Sequence, residues 1–164
     1  MPRPKRQHVR NGVWHVTQRA TDSEVFFLSP VDYSSFVHLF GVAIRRARWK
    51  VHAFCLIPNH VHLLIQTPEP TLPAGMQFLF ATYVEEFNLR HGRRGTLVQG
   101  RYKAGLVETE THYLECLRYI ASNPVGAGLC ERAEDWPWSS YVDGGSIALP
   151  IEKLLRGKLD LVLR

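Results

Sequence analysis

The sequence predicts an α+β fold with a mainly antiparallel sheet and helices packed on one of its faces. Short runs of β-like alternation are interspersed with longer amphipathic runs of helical periodicity along the 164 residues. Two β-like runs, 51–57 and 60–67, are separated only by Pro58 and Asn59, and so short a connection requires antiparallel neighbours. A chain of this length is large enough for one hydrophobic core. We therefore expect one domain spanning 1–164.

The first strand and the first helix are predicted from alternation and from capping residues. Residues 13–20 alternate apolar and polar side chains, which is typical of a half-buried strand. Ser29 followed by Pro30 is a favoured helix start, and apolar residues at helical spacing continue to about Arg48. The predicted hairpin follows this helix.

The second half of the chain adds two helices and the remaining strand. One helix is predicted from about Ala74 to Arg90, with strand-and-turn structure over 91–110. A third helix starts near Thr111 and is expected to stop close to Asn123, because the proline that follows disfavours helical backbone in the residue before it. This order of elements is compatible with a ferredoxin-like domain.

The two ends of the chain are predicted to extend from this domain. Residues 1–12 form a basic N-terminal arm, and 142–164 form a C-terminal tail with a short helix over 151–155. Just before the tail, the aromatic run WPWSSY at 136–141 is expected to pack over an edge of the core.

Composition narrows the classes of function. The net charge of +5 favours a polyanionic partner, and many of the cations cluster around glycines in the segment 90–103. No run of about 18 apolar residues exists, and no apolar stretch follows the N-terminal charges, so we expect a cytoplasmic protein without a membrane span or a secretory signal. The three cysteines are widely spaced and odd in number, which fits reduced thiols rather than a disulfide framework.

A pair of histidines is the sharpest local signal of chemistry. Residues two apart on a strand share a face, so His60 and His62 point the same way while Val61 points into the core. Two neutral imidazoles placed in this way can ligate one divalent cation. A structural or surface role for the pair is the alternative.

A second pair of residues on the third helix adds to this signal. Tyr119 and Asn123 are four apart and therefore share a helical face. The amide oxygen of Asn123 is a hard ligand, and together with imidazoles it suits Mg²⁺ or Mn²⁺ better than a closed zinc site. Core packing of Tyr119 and a helix-terminal role for Asn123 are the alternatives.

Four sequence blocks carry a resemblance to a known family. The runs HAFCLIPNHVHLLIQTPEP, GMQFLFATYVEEFNLRHGRRGTLVQGRYKA, YLECLRYIASNPVGAGL and WPWSSY resemble those of the REP-associated tyrosine transposases, which belong to the HUH endonuclease superfamily. The resemblance extends from about Val13 to Tyr141 and keeps the order and spacing of the blocks. It implies a ferredoxin-like catalytic core, a divalent metal, and single-stranded DNA with hairpin-forming or palindromic repeats as the substrate.

The resemblance also implies roles for individual residues. It makes His60 and His62 the metal-binding pair, Asn123 the third protein ligand, and Tyr119 the nucleophile that forms a 5′-phosphotyrosine intermediate during DNA nicking and joining. Tyr113 is the competing nucleophile, but at about 100° per residue it points away from the face of Asn123.

Further residues are predicted to act in proton transfer or in substrate binding. His15 is a candidate to receive the proton of the tyrosine, with a structural role in the first strand as the alternative. The residues predicted to contact phosphates or bases of the DNA are Arg19, Arg93, Arg94, Gln99, Arg101, Tyr102 and Lys103.

Other functions remain open at the level of the sequence. A noncatalytic nucleic-acid-binding regulator could retain the transposase fold, but it would be expected to lose a histidine or the tyrosine. A replication-initiator nickase would share the metal and the tyrosine, whereas a short chain without a helicase module disfavours it. The sequence leaves the choice between monomer and homodimer open, as well as the DNA sequence recognised.

Overall fold

The computed structural model describes residues 9–141 and confirms the α+β prediction. Its elements, in chain order, are β1 (Gly12–Arg19), α1 (Pro30–Ala47), β2 (Lys50–Ile57), β3 (His60–Thr67), α2 (Leu72–His91), β4 (Lys103–Val107), α3 (Glu110–Gly126) and a 3-10 turn (Ala133–Asp135). The predicted helix at 151–155 and most of the arm at 1–12 lie outside the described residues.

The four strands form one antiparallel sheet in the order β2-β3-β1-β4. This is the ferredoxin-like arrangement, in which β1 and β3 occupy the centre of the sheet. The register aligns Lys103, Thr17, His62 and Cys55 in one row across all four strands. Directly opposite residues of antiparallel strands share a face, so the histidine pair on β3 is flanked on both sides by side chains of its neighbours.

The expectation that all helices pack on one face of the sheet is wrong. Helices α1 and α2 cover one face, where they bury Val16, Phe54 and Val61 in the main core. Helix α3 covers the other face, where Cys116 and Ile120 contribute to a second, smaller core. The physical reason is that β2 and β3 also place apolar side chains on the second face, namely Ala53, Cys55, Ile57 and Leu64, and these need a cover.

The main core is rich in aromatic side chains. Phe26, Phe36 and Phe40 are fully buried, and the Tyr83 hydroxyl donates a hydrogen bond to the backbone oxygen of Phe26. The rings of Phe36 and Tyr83 meet edge to face with centroids 5.2 Å apart, a favourable aromatic geometry. Burying such rings accounts for most of the driving force that holds α1 and α2 to the sheet.

A buried carboxylate organises the start of α1. Asp32 is fully buried and accepts hydrogen bonds from the backbone N–H groups of Leu28 (2.9 Å) and Ser29 (3.0 Å). Arg90 (2.6 Å) and His91 (2.9 Å), from the end of α2, also contact its carboxylate. Burial acts to raise the pKa of Asp32, but the hydrogen bonds from His91, Leu28 and Arg90 together hold that pKa below its ordinary value.

Helix α3 continues past the point where the sequence predicts that it ends. Pro124 lies inside the helix, which runs on to Gly126. Because Pro124 is in the last turn, its missing N–H removes only one hydrogen bond, and the side chain is buried in line with Cys116 and Ile120. Asn123 therefore stays in helical geometry, one full turn after Tyr119.

The aromatic run at 136–141 covers the outer edge of β2, as the sequence predicts. The backbone N–H of Leu56 donates to Trp138 (2.9 Å), and that of Ser140 donates to Phe54 (2.9 Å). The Trp138 ring stacks on Tyr33 with centroids 4.7 Å apart. This edge of the sheet is therefore closed by main-chain pairing and stacking.

Across residues 9–141, no helix has both the length and the apolar character needed to cross a membrane.

Candidate active site

Strand alternation places the two histidines of β3 on the face beneath α3. Val61 between them is fully buried in the main core, while His60 and His62 lie on the opposite face. The two imidazole rings are nearly perpendicular, with centroids 4.8 Å apart. Their shared orientation agrees with the expectation from the sequence.

Hydrogen-bond partners define which nitrogen of each ring carries the proton. His60 Nδ1 lies 2.7 Å from the amide oxygen of Asn59, which can only accept, so this nitrogen is protonated. His62 Nε2 lies 3.3 Å from the amide nitrogen of Asn123, a donor, and this contact is matched by a proton on Nδ1 of His62. In both rings Nε2 therefore keeps its lone pair, which is the form that binds a metal.

The surroundings also keep both imidazoles uncharged. Burial, reinforced by the charge of Arg19 and opposed by a hydrogen bond with the Asn123 side chain, lowers the pKa of His60 to about 4. Burial, reinforced by His60, His15 and Arg19, lowers the pKa of His62 to about 3. Both rings are therefore neutral at physiological pH, and no proton has to leave before they can act as ligands.

Helix α3 brings Tyr119 and Asn123 over the histidines. The Tyr119 ring is perpendicular to that of His62, with centroids 5.2 Å apart, and the residue is 49% exposed. The amide oxygen of Asn123 is buried and has no hydrogen-bond partner. A buried acceptor without a partner lowers the stability of the fold unless a cation or a hydrogen-bond donor binds it, and this one lies beside two imidazole lone pairs.

The alternative tyrosine lies elsewhere. The Tyr113 hydroxyl is 2.8 Å from His52 Nδ1, and burial raises the pKa of Tyr113. His52 is the extra residue of a β-bulge near the start of β2, whereas His60 pairs with Ile57 at the other end of that strand. Tyr113 is therefore separated from the histidine pair by most of the length of β2.

The predicted DNA-contacting residues divide into two groups. Arg19 pairs in register with His60, and Lys103 pairs with Thr17, so both lie on the histidine face. Both residues are exposed, as is Arg101, while Tyr102 between the latter two is half-buried. Arg19 and Lys103 thus border the site, whereas Arg101 and Tyr102 line a cleft beside α2, where Tyr102 packs against the main core.

The second group lies in the segment between α2 and β4. The Arg93 guanidinium contacts Glu24 (2.6 Å) and the side-chain oxygen of Asn88 (2.8 Å), and Gln99 donates to Asp22 (3.1 Å). Arg94 is exposed beside them. Arg93 and Gln99 are thus tied to Glu24 and Asp22, partners that no sequence pattern indicates because they are distant in the chain.

Residues that contact the histidines from neighbouring positions were not all expected. Thr17 and Asn59 each place an oxygen on an Nδ1 atom of the pair, at 3.2 and 2.7 Å. The signal for Asn59 was its position directly before His60. Thr17 becomes recognisable only when the register of β1 against β3 is known.

The donor set fits a hard divalent cation rather than a closed structural site. Within residues 9–141, no three His, Cys, Asp or Glu side chains converge on one point. The site instead offers two neutral imidazoles and one amide oxygen, so further positions of a cation would be left for water or phosphate oxygens. Open positions of this kind are typical of catalytic rather than structural sites.

Comparison with known proteins agrees with the resemblance in the sequence motifs. The REP-associated tyrosine transposase of Escherichia coli K12 is 23% identical over 140 residues, which cover 84% of this chain and 81% of that protein. A Haemophilus influenzae protein provisionally given the same name is 25% identical over 149 residues, covering 84% of each chain. No protein-family model matches the sequence.

The fold comparison points the same way. A solved REP-associated tyrosine transposase bound to a REP hairpin superposes with a TM-score of 0.74, covers 86% of this chain and 83% of that one, and is 20% identical. At that identity the superposition shows a shared fold. The enzyme class expected from the sequence is that of the named relatives, which are tyrosine transposases. Over most of its length, the chain is thus similar in sequence to proteins named REP-associated tyrosine transposases and shares the fold of a solved one.

Proposed function

We propose that this chain cleaves and rejoins single-stranded DNA with Tyr119 as the nucleophile and a divalent cation, Mg²⁺ or Mn²⁺, held by His60, His62 and Asn123. The observation that carries the proposal is that Tyr119 and Asn123 of α3 lie against His62 of β3. The Tyr119 ring lies 5.2 Å from that of His62, and the unpartnered oxygen of Asn123 is one helical turn away. An exposed tyrosine beside a neutral, partly open ligand set is suited to attack on a phosphate.

The role of the cation is to prepare the phosphate. When bound, it withdraws negative charge from the scissile phosphate and orients it. His60 and His62 supply neutral nitrogen donors, and their buried setting keeps the ligand geometry rigid. Arg19, opposite His60 in the sheet, adds positive charge on the same face. The backbone of a bound strand is thereby held where Tyr119 can reach it.

The tyrosine performs the covalent step. Its hydroxyl oxygen attacks the phosphorus, a 5′-phosphotyrosine ester forms, and the 3′-oxygen of the broken bond leaves as a hydroxyl after it takes up a proton. A second DNA 3′-hydroxyl then attacks the ester and releases Tyr119. Each step exchanges one phosphate ester for another, so joining needs no nucleotide cofactor. A free tyrosine has a pKa of about 10, so its proton must leave during attack.

The preferred substrate is DNA that folds into hairpins at repeats. Support comes from the solved relative, which was bound to a REP hairpin. Arg101 and Lys103 are exposed at the β4 edge, where they can contact phosphates of a bound strand, while Tyr102 between them packs against the main core.

A covalent-adduct assay tests the proposal. Wild type, Tyr119→Phe and the matched control Tyr113→Phe are incubated with labelled single-stranded hairpin DNA from the genomic flanks, in Mn²⁺ or in a chelator, and resolved by denaturing electrophoresis. We expect a Mn²⁺-dependent adduct that is lost only in Tyr119→Phe. An adduct that survives this substitution would assign the nucleophile elsewhere. Binding of every flank without an adduct would instead favour the noncatalytic regulator.

A further inference from the structure

The Nδ1 atom of His62 has two partners on β1. His15 Nε2 and Thr17 Oγ1 both lie 3.2 Å from it. We propose that His15 is a positioning residue that accepts the Nδ1 proton of His62 and so keeps the Nε2 lone pair of His62 directed at Tyr119 and Asn123. This inference deepens the proposed function and rests on it.

The second nitrogen of His15 faces the thiol of Cys116. His15 Nδ1 lies 3.8 Å from the Cys116 sulfur on α3, a weak acceptor. A proton on this nitrogen leaves Nε2 of His15 as an acceptor only. The hydroxyl of Thr17, in contrast, can donate or accept, so it supports either state of His62. With its own proton on Nδ1, His15 is therefore the partner that matches only the Nδ1–H form of His62.

His15 also contacts the nucleophile. Its ring meets the Tyr119 ring edge to face, with centroids 6.0 Å apart, and lies 5.4 Å from that of His62. One side chain on β1 thus touches a ligand on β3 and the tyrosine on α3. Because these elements pack on the smaller core, His15 couples the two halves of the site through direct contacts.

The selection matters because a neutral imidazole can carry its proton on either nitrogen. With the proton on Nε2, His62 would have no lone pair facing Asn123 and could not bind a cation there. Partners that orient a metal-binding histidine typically contribute about 10- to 100-fold to metal affinity. The side chain of His62 is almost fully buried, so no water replaces a lost partner without rearrangement.

The first test needs neither metal nor DNA. Long-range ¹H–¹⁵N NMR spectra of the metal-free protein at neutral pH report which ring nitrogen of His62 is protonated. We expect the Nδ1–H form in wild type. The Nε2–H form as the main species in wild type would overturn the proposal without any variant.

The second test separates positioning from packing. His15→Phe keeps a ring against Tyr119 but has no acceptor, whereas His15→Gln keeps an acceptor oxygen. We expect His15→Phe to mix the two forms of His62 and to weaken Mn²⁺ binding at least about 10-fold by calorimetry. His15→Gln should restore both readouts in part. His38→Gln, an exposed histidine on α1, is the matched control and should change neither.

The outcomes distinguish this inference from the proposed function. A folded His15→Phe variant with an unchanged His62 spectrum and unchanged Mn²⁺ affinity would overturn the role of His15. His62→Ala serves as the reference for the metal site. If that variant binds Mn²⁺ as tightly as wild type, the metal site itself is wrong, and the spectrum of the metal-free wild type still decides how His62 is held.

Discussion

The two faces of the sheet differ in their side chains, although the same strands form both: one carries the main core and the other carries the candidate active site. The face under α1 and α2 is a closed aromatic core, in which Phe36 and Val61 are fully buried. The face under α3 has a much smaller core and carries the histidines, Arg19 and the tyrosine. Because side chains alternate along a strand, one strand supplies core residues to one face and residues of the candidate site to the other. Neighbouring residues of β3 can be changed to test this division.

The largest expected effect comes from adjacent substitutions on the two faces. His62→Ala should lower metal-dependent adduct formation at least about 100-fold, because a ligand contributes more than the outer-shell partners of a metal. Val61→Ala should keep that activity and lose about 2 kcal/mol of stability, since it removes a buried apolar side chain. Adduct assays and urea unfolding of both variants check this. Equal loss of activity in both would show that the faces are not independent.

The closed face should dominate global stability. Phe36 is fully buried among aromatic rings, so Phe36→Ala should cost about 3 to 5 kcal/mol of unfolding free energy. Leu89→Ala removes an apolar side chain that is 78% exposed and should change stability by less than about 0.5 kcal/mol. Urea titration at 25 °C measures both. A small loss in the first variant would contradict the role assigned to the aromatic core.

The buried carboxylate of α1 adds a pH dependence to the closed face. Its folded pKa is depressed, so Asp32 contributes stability at neutral pH and that contribution is lost as pH falls below the unfolded pKa of about 3.9 and through the folded pKa. Unfolding free energies measured from pH 6 to pH 2.5 should therefore fall in the acid range. Asp32→Asn should be less stable at neutral pH, and its unfolding free energy should fall less steeply as the pH is lowered. An equally steep fall in that variant would show that other groups cause the pH dependence.

The smallest expected effect concerns substrate binding at the β4 edge of the sheet. Arg101→Ala and Lys103→Ala should each weaken single-stranded DNA binding and make the salt dependence shallower by about 0.7 in the logarithmic slope per lost phosphate contact. Arg45→Ala, an exposed cation on α1, is the matched control and should leave the slope unchanged. Fluorescence anisotropy over a salt series measures the slopes. Equal slopes in all the variants would remove the β4 edge from the DNA interface.

Much of the site was accessible from local sequence patterns. The shared face of His60 and His62 follows from alternation, and that of Tyr119 and Asn123 follows from helical spacing. Both pairings are found in the structure. The end of α3 was predicted too early, because a local rule about Pro124 cannot include the burial that holds its ring in the last turn.

Contacts between distant segments were not accessible in this way. The approach of His15 to His62 spans 47 positions in the chain, and that of Asp32 to Arg90 spans 58. Pairings of this kind depend on strand register and on which face a helix covers. The position of α3 on the opposite face from α1 and α2 also depends on distant segments, since it follows from the apolar residues that β2 and β3 place on that face.

Sequence and tertiary structure therefore account for different parts of this protein. The sequence alone determined the order of strands and helices, the orientation of the histidine pair, and the relation of Tyr119 to Asn123, because each depends on residues within one or two turns of each other. Only the tertiary structure decided that these two pairs meet, and that His15 holds the Nδ1 side of His62. Local periodicity orients a side chain on its own element, whereas the burial of both sheet faces selects the element it meets.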